Sequence, residues 1–230
     1  MEKLADRAAK TALFDQFARI GKALGSAVRL ELLDLLAQGE RTVEDLAGAA
    51  SLPLSTASAH LQTLKRARLV STRRSGTRIY YSLAGDDVAR LYVRLRAVAQ
   101  SHLPDIEAAR RAHLGLTGAE PDAAVEEIGR DELLRRVRDE QVMVLDVRPA
   151  PEYAHGHIPA AVSIPMEELS DRLAELPAGR TIVAYCRGRY CVFAYDAVRL
   201  LRARGYPAAR LADGMLEWRL AGLPVDTSAA

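Results

Sequence analysis

Cysteine is scarce in this chain, with only Cys186 and Cys191 among 230 residues. Two thiols cannot build the disulfide framework of a small secreted domain. With no Cys or His pair beside them, a four-residue gap does not complete a tetrahedral zinc site. In a reducing compartment such cysteines are expected to be chemical rather than structural. Long apolar runs are also missing. None approaches the ~20 residues that span a bilayer, and the opening MEKLADRAAK lacks the apolar stretch of a secretory signal. A cytoplasmic address and no membrane partner are therefore expected. Acid is missing locally: no Asp or Glu lies between Asp45 and Asp86, while Lys65, Arg66, Arg68, Arg73, Arg74 and Arg78 all fall inside that gap.

What is present is an ordinary globular balance, 49% hydrophobic and 27% charged, able to bury a core. Length alone leaves one or two domains open. The net charge of +2 hides an asymmetry: residues 1–115 carry 18 Lys and Arg against 12 Asp and Glu, and residues 116–230 carry 14 against 18. The halves thus differ in sign, which suggests two jobs. The acid-free basic stretch suits a polyanion surface. A charge run by itself is more commonly a solvated face, so the motif around it decides.

Residues 12–37 repeat apolar positions at helical spacing, with a break expected at Gly25 and Ser26. Thr42, with Asp45 three residues on, predicts a capped helix from Val43 to Ala50. After a turn at Ser51, Leu52 and Pro53, a helix is expected over Ser55 to Ala67. Its Ala57, Leu61 and Leu64 share one face, and Ser55, Thr56, Ser58, Ala59 and Gln62 face outward. Alternation on either side of Ser75 and Gly76 predicts a hairpin. A long helical pattern follows from Val88 to about Leu114, divided or kinked at Pro104. Residues 115–124 have linker composition. Beyond them, buried strands at Val142 to Val147 and Thr181 to Tyr185 and a helix at Ala194 to Arg204 predict an α/β sheet.

Hydrogen-bonding side chains on one helix face, followed by a basic hairpin, are the parts needed to read base edges and hold phosphates. The segments LPLSTASAHLQTL, RLV and GTRIYYSL resemble, in kind and spacing, the ArsR/SmtB family of winged-helix repressors over roughly the first 100 residues. The resemblance implies a mainly α winged helix-turn-helix domain (1–114), a homodimer paired through long terminal helices, and double-stranded operator DNA as partner. Recognition helices would then enter successive major grooves about 34 Å apart. Base contacts are assigned to Ser55, Thr56, Ser58 and Ala59. Backbone contacts fall to Gln62 and Lys65, and minor-groove or phosphate contacts to Arg73, Arg74 and Arg78. His60 either reaches DNA or packs structurally. Many family members sense metals, but here RTVEDL replaces the cysteine-bearing signature. His102 and His113 match another site's interval, yet Gln100 and Leu116 stand where further ligands are wanted. No metal and no cofactor are expected.

Cys186 follows the apolar strand TIVAY and opens the loop RGRYC, which leads into a helix. Loop amides, the helix N-terminus, Arg187 and Arg189 would converge on an anion. Such surroundings can lower a thiol pKa from ~8.5 toward neutrality and make a nucleophile. The alternative is a buried inert cysteine. The segments VLDVRPAPEYAHGHIPAAVSIP, IVAYCRGRYC and LADGMLEWRLAGLPV resemble the rhodanese family over residues 123–226. That resemblance implies an α/β domain (125–230) with a central parallel sheet. It also implies that Cys186 carries a persulfide between a small sulfur donor and an acceptor, with Asp146 and Arg148 supporting the site and His155 and His157 forming a turn. The loop departs from the family pattern: Gly188 comes early, Cys191 replaces an arginine, and the spacing to Gly205 is about two residues longer. A tetrahedral oxyanion substrate therefore stays open. Cys191 is either a resolving thiol that links to Cys186 or a small buried residue that begins the helix.

Three functions follow from the joined halves, the plainest being a regulator whose second domain is inactive and only binds. Another is a transcriptional regulator, read as a repressor, whose rhodanese-like domain senses or transfers reactive sulfur through Cys186. The third is a working sulfurtransferase or oxyanion-handling reductase with an autoregulatory DNA-binding domain.

Overall fold

In the computed structural model, which describes residues 2–116, 125–177 and 179–228, the first apolar pattern breaks at Gly25 and Ser26 as its spacing predicts. Helix α1 (Glu2–Leu24) ends there, and Ser26 is extended before α2 (Ala27–Leu36). Strand β1 (Arg41–Thr42) leads into α3 (Val43–Ala49), where Thr42 and Asp45 form a reciprocal capping box. Ser51, in the left-handed region at φ 52°, turns the chain into α4 (Leu54–Arg66). The hairpin consists of β2 (Val70–Ser75) and β3 (Arg78–Leu83), with Ser75 opposite Arg78 and Gly76 at φ +60° in the turn between them. Glycine takes that φ without the Cβ penalty other residues meet. β1 completes an antiparallel sheet in the order β1-β3-β2. Leu32, Leu36, Leu46, Leu61, Leu64, Val70 and Tyr81 form the core beneath the helix-turn-helix.

Helix α5 (Asp86–His102) begins by burying Val88 and Ala89. Pro104 lies between it and α6 (Ile106–His113), the division expected of a residue that cannot continue a helix ladder. The chain divides into two compact units, Met1–Tyr92 and Val93–Ala230. Leu114 is buried in a core with Leu145, Val147 and Ala194, which ties the end of α6 to the second unit. Residues 117–124 of the expected linker lie outside the described residues.

The second unit continues through β4 (Glu127–Ile128), α7 (Arg130–Arg138), β5 (Val142–Asp146), α8 (Ala150–His155), β6 (Val162–Ser163), β7 (Thr181–Tyr185), α9 (Val192–Ala203), β8 (Ala208–Leu211) and α10 (Met215–Leu220). Its five strands pair in parallel in the order β4-β8-β7-β5-β6. Strands buried on both faces read as continuous apolar runs, and alternation sorts β7 between two cores. Ile182, Ala184 and Cys186 join one, while Val183 and Tyr185 join the other. Sites in open parallel sheets form at the carboxyl ends of strands. Asp146, Cys186 and Ala212 mark those ends here.

Candidate functional site

On α4 the buried line Ala57, Leu61 and Leu64 leaves Ser55, Ala59, Gln62 and Lys65 exposed, with Thr56 and Ser58 half-buried beside them. Every residue assigned to base or backbone contact on this helix therefore retains an accessible surface. Gln62 Nε2 donates to the Tyr81 hydroxyl at 3.2 Å, which steadies the helix against the hairpin. His60 is half-buried, with Nδ1 3.5 Å from Arg29 Nη1. On the hairpin, Arg73, Arg74 and Arg78 are all exposed. Arg73 pairs with Glu40 and lies 4.9 Å from the Tyr80 ring centroid; its hydrogen bond to Glu40 pushes the guanidinium pKa further up. Arg74 Nε donates to the Gly76 carbonyl at 3.0 Å. Arg66, exposed in the last turn of α4, extends this basic surface and was not among the expected contacts.

At the end of β7, Cys186 is buried and joined by a disulfide to Cys191, which precedes α9, with the two Cα atoms 6.2 Å apart. Residues 187–190 form a turn between them, closed by the Cys191 N–H on the Gly188 carbonyl at 3.0 Å. The Cys186 carbonyl accepts the Met215 N–H at 3.0 Å. Gly214 packs directly on this loop: a Cβ there would collide with the backbone of Arg187 and Gly188, so only glycine fits. Glu217 fixes that glycine by accepting its N–H at 3.1 Å.

Asp146 and Arg148 are fully buried and meet at 2.6 Å. Arg148 also donates to the Gly156 carbonyl at 2.8 Å, fastening the AHGHIP turn to the end of β5. The Tyr185 hydroxyl donates to Asp146 Oδ2 at 2.5 Å and accepts the Ile158 N–H at 3.1 Å. Burial, reinforced by the Asp146 charge, pushes the Tyr185 phenol far above its ordinary range. His157 stacks on Tyr153 at 3.7 Å and contacts its carbonyl at 2.9 Å. These groups fasten the AHGHIP turn to the ends of β5 and β7.

The two arginines of the loop part company. Arg187 is committed to Glu152, Nη2 to Oε1 at 2.6 Å, and that carboxylate is 2% exposed. Arg189 is exposed and lines a cavity together with Glu107 of α6 and Glu127 of β4. Hydrogen bonds from Arg110 hold Glu107 below the ordinary carboxylate range, with Arg189 adding to the effect. Burial pushes Glu127 up, but Arg210, Tyr195 and Arg189 together outweigh it. Sequence reasoning missed Glu152, Tyr185, Gly214 and Glu217. Only Gly214, beside Asp213 in a turn-like pair, carried a local signal.

Residues 26–72 match the family model described as "Bacterial regulatory protein, arsR family", and residues 129–221 match the rhodanese-like domain. The chain is 57% identical over 220 residues to the HTH-type transcriptional regulator Rv0324 of Mycobacterium tuberculosis, covering 96% of this chain and 94% of that protein. Its second half is 36% identical over 103 residues to a sulfurtransferase of Allochromatium vinosum, covering 44% of this chain and 94% of that one. A solved homodimeric winged helix-turn-helix domain of a possible ArsR-family regulator from Mycobacterium bovis is 58% identical, with a TM-score of 0.39, over 41% of this chain and 87% of that one. An exposed small-residue helix face with a basic wing, a buried cysteine at a parallel strand end, and a near full-length relative agree: the chain belongs to the ArsR-type HTH transcriptional regulators, with a rhodanese-like domain as its second half.

Proposed function

We propose that the chain is a homodimeric operator-binding regulator whose hold on DNA is set by the sulfur state of Cys186 and Cys191. The observation that carries the reading is the bond between these two thiols inside one six-residue loop at the carboxyl end of β7. In the reduced state the Cys186 thiolate attacks the outer sulfur of a small persulfide donor, RSSH, forming Cys186–S–SH and releasing RSH. The Cys191 thiolate then attacks Cys186 Sγ and expels hydrosulfide, leaving the disulfide. Overall, one RSSH and two thiols give RSH, hydrogen sulfide and one disulfide. On the DNA side Ser55, Thr56, Ser58 and Ala59 read bases, while Gln62, Lys65, Arg73, Arg74 and Arg78 hold the backbone. Leu13, Phe14 and Phe17 are more than half exposed along α1, an apolar stripe suited to a second copy of the chain.

The test is a titration at fixed salt, because counterion release makes affinities at unequal salt incomparable. A fluorescein-labelled duplex enriched from a random library on the reduced chain is titrated with reduced and with polysulfide-treated protein. The affinities should differ by about fivefold or more. Equal affinities would remove the sulfur-sensing reading and leave a DNA-binding regulator. The likeness to a sulfurtransferase favours a second reading, turnover. Transfer of sulfur from thiosulfate to cyanide at enzyme-like rates, lost in Cys186→Ser without change in DNA affinity, would replace sensing by catalysis.

A further inference from the structure

Between the two cysteines lie four residues; one of them, Tyr190, packs on a guanidinium that a side chain at Gly188 would also meet. Arg96, on α5, places Nη2 3.3 Å from Glu217 Oε1 and its guanidinium carbon 4.8 Å from the centroid of the Tyr190 ring. A Cβ built on Gly188 would stand 3.3 Å from Glu217 and 3.7 Å from Arg96. Arg96 and Glu217 side chains are only 15% and 18% exposed, so the pair is worth more than a surface contact. Glu217 in turn holds Gly214 against the backbone of Arg187 and Gly188. Nothing in the sulfur chemistry above requires Arg96.

We infer that Arg96 is the positioning residue through which the sulfur state of the 186–191 loop reaches the DNA-binding half. This rests on the proposed sulfur-responsive function and names its route. Linking Cys186 to Cys191 fixes the span of the loop, so opening the link frees residues 187–190 to move. Gly188 is wedged against Gly214 and Glu217, and Tyr190 lies under the guanidinium. A shift of this turn therefore falls first on Arg96. The arginine lies on α5, a helix without interruption from Asp86 to His102. Eight residues before it, Val88 is buried with Leu61, Leu64 and Tyr81 in the core under the recognition helix. The two residues belong to one continuous helix, about two turns apart in sequence. Displacement or loosening at Arg96 is thus carried by backbone to the packing of α4.

The experiment compares the ratio of DNA affinities, polysulfide-treated against reduced, in the full-length wild type and in Arg96→Ala, using the enriched duplex. Mass spectrometry of the same samples reports the Cys186–Cys191 linked peptide. Arg96→Ala should still form the link and bind DNA normally when reduced, but its affinity ratio should fall to within about twofold of unity. Arg96→Lys keeps a charge for Glu217 without the planar face that covers Tyr190 and should respond partially. A merely structural arginine would lower thermal stability and leave the ratio unchanged. If Arg96→Ala folds poorly, Tyr190→Ala removes the other side of the contact and carries the same expectation. A wild-type ratio in linked Arg96→Ala or Tyr190→Ala overturns the inference while the sulfur-responsive reading stands. A ratio of one in the wild type itself overturns both.

Discussion

Tyr185 keeps its proton because the phenol is buried and hydrogen-bonded to an ionised Asp146, so ionising it would put a second negative charge beside the first. Its raised pKa stabilises the fold while both states hold the proton, and that gain is lost as pH rises above about 10, where an unfolded tyrosine ionises. Tyr185→Phe should cost about 1–3 kcal/mol near neutral pH, since it strands the Ile158 N–H and one Asp146 lone pair. Urea unfolding at two pH values checks this: the gap between wild type and variant should narrow above pH about 10. The Arg187–Glu152 pair makes a sharper case. Removing one member leaves a charge in a site 2% exposed, so Arg187→Met should cost about 3 kcal/mol, and adding Glu152→Gln should recover part of it. A loss in Arg187→Met that the double variant does not relieve would mean that the arginine acts elsewhere.

At the scale of elements, α3 has only seven residues and relies on its cap. Thr42→Ala should lower stability by about 1 kcal/mol in thermal unfolding, because one orphan amide loses its acceptor. On α4, Ala59 is exposed on the outer line with Ser55 and Gln62. Ala59→Glu should leave the melting temperature unchanged and weaken DNA binding by about tenfold or more, since a carboxylate would face phosphates. These elements were legible because their signals are local: Thr42 with Asp45, the spacing of Ala57, Leu61 and Leu64, and the Gly76 turn. The strands of the second unit were legible as apolar runs. The ends of elements were less so. The burial of Leu114 carried no local signal, because its partners Leu145, Val147 and Ala194 lie 31 to 80 residues further along the chain.

For the whole molecule, the charge asymmetry has a measurable consequence. Each phosphate contact contributes about 0.9 to the slope of log affinity against log salt, so Arg74→Ala or Arg78→Ala should shallow that slope by about 1. An unchanged slope would place those arginines off the DNA. Phe17→Lys, in the exposed apolar stripe of α1, should shift the chain toward monomer in light scattering and weaken duplex binding with it. A variant that stays dimeric would move the interface elsewhere.

The sequence by itself determined the two kinds of fold, the polar outer face of α4, the basic hairpin and the placement of Cys186 at the end of a buried strand. Each follows from periodicity or from residues adjacent in the chain. Tertiary structure alone decided that Arg187 answers to Glu152, that Gly214 and Glu217 brace the thiol loop, and that Arg96 covers Tyr190. Those partners lie 26 to 94 residues apart in the chain, and charge pairing at that range has no local pattern. Only the closure of the parallel sheet and the packing around it bring them within reach.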